Sequence, residues 1–586
     1  MGGIAQRAVR WWAGPGITGP GGHIFSRWLF LRALGVIYFS AFYSLIFQIR
    51  GLLGPDGLLP AGSYLQEVAK VMPGAARFWY APTLLWLNSS SDALTALCWT
   101  GMLASLLLIL NLWPRAMLAT CFALFLSFVA AAEDFSGYQS DGMLLAASFI
   151  AFFLAPGGFR PGLAEKQPPS RATLSLLQLL WFSIYFESGI AKYFGGDSAW
   201  RDFSAMNEYY QNGPLPTWIG WYAHQLPRRF HEVTAVVTVF TELVVVGMVF
   251  LPRIFRIACF FFVTSLQIAI ILTANYAFLN YLVLALAIFL LDDAFLIGFV
   301  PRRWREAVRQ RLGIELREKP WRKSLFAFRR PSVETPGPPE AESLSLFHPP
   351  PLTPAEEQSA AQTSAAPVVA APHEVPRWRE VLSNAVLWTK AFFLAWVLYA
   401  TLFLLVQQIS PELPLPSRPM TALEPFRIAN SYGLFGRMTW SRYEIEFQGS
   451  NDGVNWTAYP FRYKPQALKE APRIYAPFQP RFEWNLWFAS LGGWRENPFV
   501  VRTGEQLLFN NSDVLSLFRS NPFPVSPPTH IRAVLWQYWF TDRATKKTTG
   551  AWWRRESRGL YAPALERTSD GKIMVSEWPP GFLPPP

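Results

Sequence analysis

The 586-residue chain is 51% hydrophobic and 16% aromatic but only 16% charged, proportions that exclude a string of soluble domains and indicate a polytopic membrane protein. Its net charge of +12 does not point to nucleic acid, because most of the excess lies in one run beside an apolar stretch, as a cytoplasmic face requires. The three cysteines, Cys98, Cys121 and Cys259, all fall in apolar runs, which leaves neither a disulfide framework nor a Cys-based zinc site for the soluble parts.

A basic leader, residues 1–27, carries Arg7, Arg10 and Arg27. The first apolar run, Trp28 to Ile49, exceeds a signal-peptide core and is followed by Arg50 and Gly51 rather than a small-residue cleavage site, so it reads as an uncleaved span. Further candidate spans begin near Ala93, Pro114, Asp141, Ala172, Glu232, Ile254, Asn275 and Val381. That gives about nine, each near the roughly 20 residues a bilayer needs, the run from Asp141 being the shortest. Residues 28–300 thus form a helical transmembrane domain with two longer outer loops, 51–82 and 193–231. Arg115, Arg160, Lys166, Arg171, Arg253, Arg256 and the run from Arg302 to Arg330 fall on the same side as the leader, whereas the opposite loop with Glu133, Asp134 and Asp141 has no Lys or Arg. The amino terminus is expected inside.

Residues 301–330 read as a basic juxtamembrane segment on anionic lipid, and 331–376 as a disordered Pro/Ala-rich linker. A last span, 381–406, carries the chain outward, so that 410–586 is expected to be an extracytoplasmic β-rich (α+β) domain. There, Arg442 to Phe447 alternates at period two, Gly449 to Gly453 supplies a turn, and Trp456 to Tyr463 alternates again, which predicts a hairpin. Ile531 to Phe540 and Trp552 to Gly559 predict two more strands, and Phe482 to Leu491 and Gln506 to Arg519 predict a helical insertion.

No Walker loop, HExxH, GxSxG, dinucleotide fingerprint or metal-spaced His cluster is present, so neither a metal nor a cofactor is expected. Charges inside spans are the stronger signal, because each costs at least about 2.5 kcal/mol near the bilayer centre and is kept with a partner or a use. Glu187 and Lys192 stand near the outer end of the fifth span and Glu242 within the sixth. Glu187 and Lys192 are five residues apart and do not share a helix face, so each would meet a group on another helix. Glu242 is the evident partner for a buried ion pair, which serves packing or chemistry. Beyond Lys192, the stretch with Trp200, Tyr209, Tyr210, Trp218, Trp221, Tyr222 and His224 is interrupted by Asn212-Gly213-Pro214-Leu215-Pro216. Interfacial belts collect such rings, but the breaker predicts a structured capping loop whose outward surface holds a ligand or client. The loop GLLGPDGLLP, Gly51 to Pro60, supplies a second wall.

These residues, with Asn430-Ser431-Tyr432-Gly433-Leu434-Phe435-Gly436, Arg442-Tyr443-Glu444-Ile445, Pro480-Arg481-Phe482-Glu483-Trp484, Asn521-Pro522-Phe523 and Trp552-Trp553-Arg554-Arg555, make the chain resemble the lipase maturation factor family over most of its length. The resemblance implies an integral-membrane folding factor, in animals resident in the endoplasmic reticulum membrane, that helps secreted lipases reach an active fold. A more distant resemblance, carried by Tyr185, Phe186, Gly189, Lys192 and Trp200, is to the vitamin K-dependent carboxylase and its transmembrane relatives. It implies Lys192 as an active-site base, although Ala191 and Tyr193 flank it where that enzyme has a second Lys. The Pro-rich tail, the long linker and the scarcity of Lys relative to Arg point to a bacterial member in the inner membrane. The first expectation is a non-enzymatic chaperone whose partners are membrane lipid and a secreted client, a lipase among the options. The alternative is an enzyme that uses Lys192, with Glu187 or Glu242, on a lipid-soluble substrate.

Overall fold

The computed structural model describes residues 2–314 and 377–580; the expected linker 331–376 and the second half of the basic segment 301–330 lie outside them. Nine apolar helices organise the membrane part: α1 (Ile24–Ile46), α2 (Ser91–Ile109), α3 (Pro114–Val129), α4 (Gln139–Leu154), α5 (Arg171–Phe194), α6 (Arg228–Leu243), α7 (Arg253–Thr273), α8 (Leu279–Ala287) and α9 (Arg377–Ile409). A 3-10 turn, Val245–Phe250, extends α6. All start near the expected places, but among the described residues six are long and apolar enough to cross a membrane, or seven if Leu279–Leu290 and Asp293–Phe299, bent by 107° to each other, are taken as one broken span. Nine spans were expected, and the two that fall short of that length are α3 and α4, with 16 residues each, about 24 Å of helix against roughly 30 Å of hydrocarbon.

The two ends of the bundle are tied differently. At one end the carboxylate of Asp293 accepts from the backbone N–H groups of Ile24 (2.8 Å), Phe25 (2.9 Å) and Ser26 (3.2 Å), an anion on the free donors and positive pole of the α1 amino terminus. Buried Arg27 donates there to the carbonyls of Leu163, Ala164 and Gln167. The other end receives the carboxyl-terminal part.

That part is built on one antiparallel sheet in the order β2-β1-β3-β4-β5, with β1 (Arg442–Ser450), β2 (Thr457–Ala458), β3 (His530–Phe540), β4 (Trp553–Arg567) and β5 (Ile573–Glu577). The β1–β2 turn is held by Asp452, which accepts from the backbone of Val454 (2.9 Å) and Asn455 (2.7 Å), with Gly453 at φ +70°. The expected second strand shrinks to two residues because Pro460 follows Tyr459 and cannot donate to a ladder. Between β2 and β3 lie α10 (Arg481–Ala489) and α11 (Pro498–Leu507). Instead of one helix over 506–519, α11 stops at Leu507 and a single turn, Ser512–Leu515, is capped by the Asn511 side chain.

The carboxyl-terminal part shares its core with the bundle. One continuous cluster of buried apolar residues runs from Phe30 in α1 to Leu565 in β4. β1 is buried along nearly its whole length, as a strand is when it is covered on both faces.

Candidate functional site

The end of α5 is the junction. Lys192, 3% exposed, donates to both oxygens of Glu242 on α6 (2.8 Å each) and to the carbonyl of Leu434 (2.8 Å). All three ammonium hydrogens therefore have acceptors, and the Trp200 ring lies 5.2 Å from the charge. Five residues earlier on α5, Glu187 accepts from the backbone N–H of Tyr432 at 2.7 Å. Ser188 accepts from Leu434 N (3.1 Å), and the indole of Trp200 donates to Phe435 O (2.8 Å). What these groups hold is the segment Asn430 to Gly436, threaded from the carboxyl-terminal part into the membrane bundle. Small residues make the approach possible: a Cβ on Gly436 would lie 2.9 Å from that of Ala191, and one on Gly189 would lie 2.8 Å from the Leu243 side chain.

The next residues are clamped by the outer loop. Asn212 donates to Thr439 O (2.8 Å), and Asp197 accepts from Met438 N (2.6 Å). Fully buried Arg442 donates to the carbonyls of Gln211 (3.1 Å), Gly213 and Pro214 (3.0 Å) and to Glu444. Glu444 also pairs with Lys464 at 2.9 Å. On the far side of the sheet part, Arg481 of α10 forms a two-pronged pair with Asp141 of α4 (2.7 and 2.8 Å) and donates to Phe135 O (2.7 Å). Asn275 binds the extended segment before α10 by accepting from Tyr475 N (2.7 Å) and Ala476 N (3.1 Å) and donating to Arg473 O (2.9 Å). Buried charges are tolerable when each is matched in this way, and their geometry permits only one docking.

The sequence-predicted site residues divide accordingly. Glu187, Lys192 and Glu242 do gather around one segment, with Glu187 bonding that segment and not either of the other two. The expected outward placement is corrected: Trp200, Tyr209, Tyr210 and Trp221 are buried, and the first three line an internal cavity instead of an outer surface. Tyr209 sits against Phe435, and Trp221 against Trp552 of the sheet part. Trp218 and Tyr222 remain 45% and 44% exposed. His224 is half-buried beside Phe540, and burial together with His231 pushes its imidazole down to about 4. Lys546 stands 3.6 Å over the Trp552 ring and 4.9 Å from Trp221, a cation that pins the aromatic loop to the sheet.

Sequence reasoning missed Asp141, Arg442, Arg481 and Asn275 as docking residues. The available signal was Asp141, an acid at the start of an apolar run with no partner nearby in sequence. Among the described residues no group of three or more His, Cys, Asp or Glu is arranged to hold a metal.

Beside the ion pair opens a cavity of about 530 Å³ lined by Tyr185, Lys192 and Glu242, by the facing sides of α6 and α7, and by Trp200, Tyr209 and Phe435. Its walls are almost wholly apolar.

A helical membrane bundle that grips an antiparallel sheet through buried ion pairs defines the class: an integral-membrane protein with a docked, not tethered, carboxyl-terminal part. The chain belongs to the lipase maturation factor family. Residues 25–298 match the lipase maturation factor transmembrane domain and residues 428–563 the lipase maturation factor C-terminal domain. It is 31% identical to lipase maturation factor 2 of Gallus gallus, over 93% of this chain and 82% of that protein. It is 29% identical to the Homo sapiens form, over 92% and 82%, and 28% identical to lipase maturation factor 1 of Bos taurus, over 94% and 91%. No solved structure matches. The first family region ends at residue 298, ahead of α9, and the second begins two residues before Asn430 and takes in β1, β2 and β3.

Proposed function

We propose that the protein is a maturation factor embedded in the membrane that secreted or exported clients cross, and that it assists their folding on the far side. The leader and the basic segment face the cytoplasm, and the sheet part, 410–586, faces the compartment where the client folds. That membrane is the bacterial inner membrane, or the endoplasmic reticulum membrane in a eukaryotic cell. Lipases are the proposed clients, on the strength of the relatives' names and of matches that run through both parts of the chain.

The observation that carries a scaffold over a catalyst is the state of Lys192. Its three hydrogens are committed to Glu242 and Leu434, whereas a base in a carboxylase-like reaction needs a free lone pair. The pair instead anchors the segment on which the sheet part docks, presenting a rigid surface beside the membrane. Exposed rings such as Trp218, Tyr222 and Trp79 offer contact area with little rotamer cost to an unfolded client.

The test is the specific activity of secreted lipase, active enzyme per mass of antigen, from cells that lack the protein and from cells given it back. A drop of about fivefold or more, restored by the wild-type chain and not by the Trp218→Ser/Tyr222→Ser double variant, is expected. Unchanged specific activity of every secreted lipase in the deletion strain would remove the proposal.

A further inference from the structure

The cavity between α6 and α7 shares Lys192, Trp200, Glu242, Leu434 and Phe435 with the docking just described but is not filled by it. It runs along α6 from Phe230 to Glu242, twelve residues or about 18 Å of helix, slightly more than the roughly 15 Å of hydrocarbon in one leaflet. The residues at its mouth are exposed: Val237 is 50% and Phe262 60% accessible. Both stand on helices that qualify as membrane spans, so the phase next to the opening is hydrocarbon.

Its polar lining does not suit hydrocarbon alone. Gln267 on α7 lines the cavity and is 5% exposed; its Nε2 donates to the hydroxyl of Tyr185 at 2.8 Å, while its Oε1 has no partner among the described residues. A buried carbonyl oxygen left without a donor costs about 1–3 kcal/mol. An apolar slot of this volume with two unmet polar groups in its lining, Gln267 Oε1 and the hydroxyl of Tyr276, has the composition of a small-ligand site, mostly hydrophobic with a few polar groups to set orientation.

We propose that this cleft binds one membrane-soluble lipid alcohol: a single hydrocarbon body that enters sideways from the bilayer between α6 and α7 and donates a hydroxyl hydrogen to the Gln267 amide oxygen. Neither a phosphate nor a carboxylate headgroup fits, because the one cation at the floor, Lys192, has no hydrogen left to give. The occupant packs against Val237 and Phe262 and ends beside the Lys192–Glu242 pair, so the site is filled from the same membrane that holds the docked segment in place.

The experiment uses the full-length protein in phosphatidylcholine vesicles with two photoactivatable probes of equal length, a diazirine-bearing hexadecanol and the matching hexadecane. The alcohol is expected to label peptides covering 230–241 and 262–273 about tenfold more than the hydrocarbon, with unlabelled hexadecanol competing. Val237→Trp, placed on a half-exposed face where a larger ring is accommodated, lowers that labelling about tenfold. Gln267→Leu leaves hydrocarbon labelling and abolishes the preference for the alcohol. Equal labelling by the two probes, or labelling indifferent to Val237→Trp, marks ordinary boundary lipid and overturns the proposal. A preference for the alcohol that survives in Gln267→Leu assigns the amide to water and overturns it equally.

Discussion

Replacing Lys192 with Met removes a cation and keeps most of the side-chain volume, so its effect isolates the ion pair from packing. Glu242 is then a buried carboxylate with no counter-charge and Leu434 O a buried carbonyl with no donor. Breaking one side of a buried pair costs about 3–5 kcal/mol, and the orphaned carbonyl contributes about 1–3 kcal/mol of the total. Lys192→Met with Glu242→Leu removes both charges and leaves only the carbonyl unsatisfied, so the double variant should lose about 1–3 kcal/mol and be more stable than the single one. The assay is unfolding free energy in mixed micelles for the wild type, both single variants and the pair, a double-mutant cycle. Limited proteolysis of the Asn430 to Gly436 segment is its local readout, since that segment should be cleaved first in Lys192→Met. A single variant as stable as wild type, or a double variant no better than Lys192→Met, would refute the claim that this pair anchors the docked segment.

Four more outcomes follow from the same contacts. Arg481→Leu strands Asp141 in an apolar wall and should cost about 3–5 kcal/mol, read as protease release of the 443–580 region from the membrane fraction. Gly436→Ala places a Cβ 2.9 Å from that of Ala191 and should cost about 1–3 kcal/mol; adding Ala191→Gly should recover much of the loss in the same unfolding assay. His224 has its pKa lowered from 6.5 to about 4 by burial first and by His231 second. The unfolded chain therefore takes up a proton at a pH where the folded one does not, and stability is lost as pH falls from about 6.5 towards 4. The limit is about 3 kcal/mol and less for a half-buried ring; His224→Gln should flatten that part of the pH–stability curve. For sidedness, thiol reagents applied to sealed vesicles should reach Ser569→Cys and Gly196→Cys from one face and Arg303→Cys from the other. Finding Ser569→Cys and Arg303→Cys on the same face would undo the proposed topology.

Helix positions were legible in the sequence because hydropathy acts over a whole window: every apolar helix begins within a few residues of its expected start. Their lengths were less legible: α3 and α4 stop at 16 residues, short of the span length expected, and window-averaged hydropathy does not report where a helix ends. Strands β1, β3 and β4 were visible through alternation and the Asp452-Gly453 turn, whereas β2 was cut short by Pro460 and β5, mostly exposed, left no apolar pattern to read.

The sequence by itself determined that the chain is a multi-pass membrane protein, which helices it makes, and that Glu187, Lys192 and Glu242 needed partners, since an unpaired charge within a span is too costly to leave alone. It could not tell which partners, because Leu434 lies 242 residues from Lys192 and Arg481 lies 340 from Asp141, and no local pattern encodes a contact at that range. Only the tertiary structure decided that the aromatic loop faces inward onto the sheet and that the carboxyl-terminal part is gripped by the bundle. Burial of matched charges and backbone groups at the docking surface selects one arrangement out of many that hydropathy alone would allow.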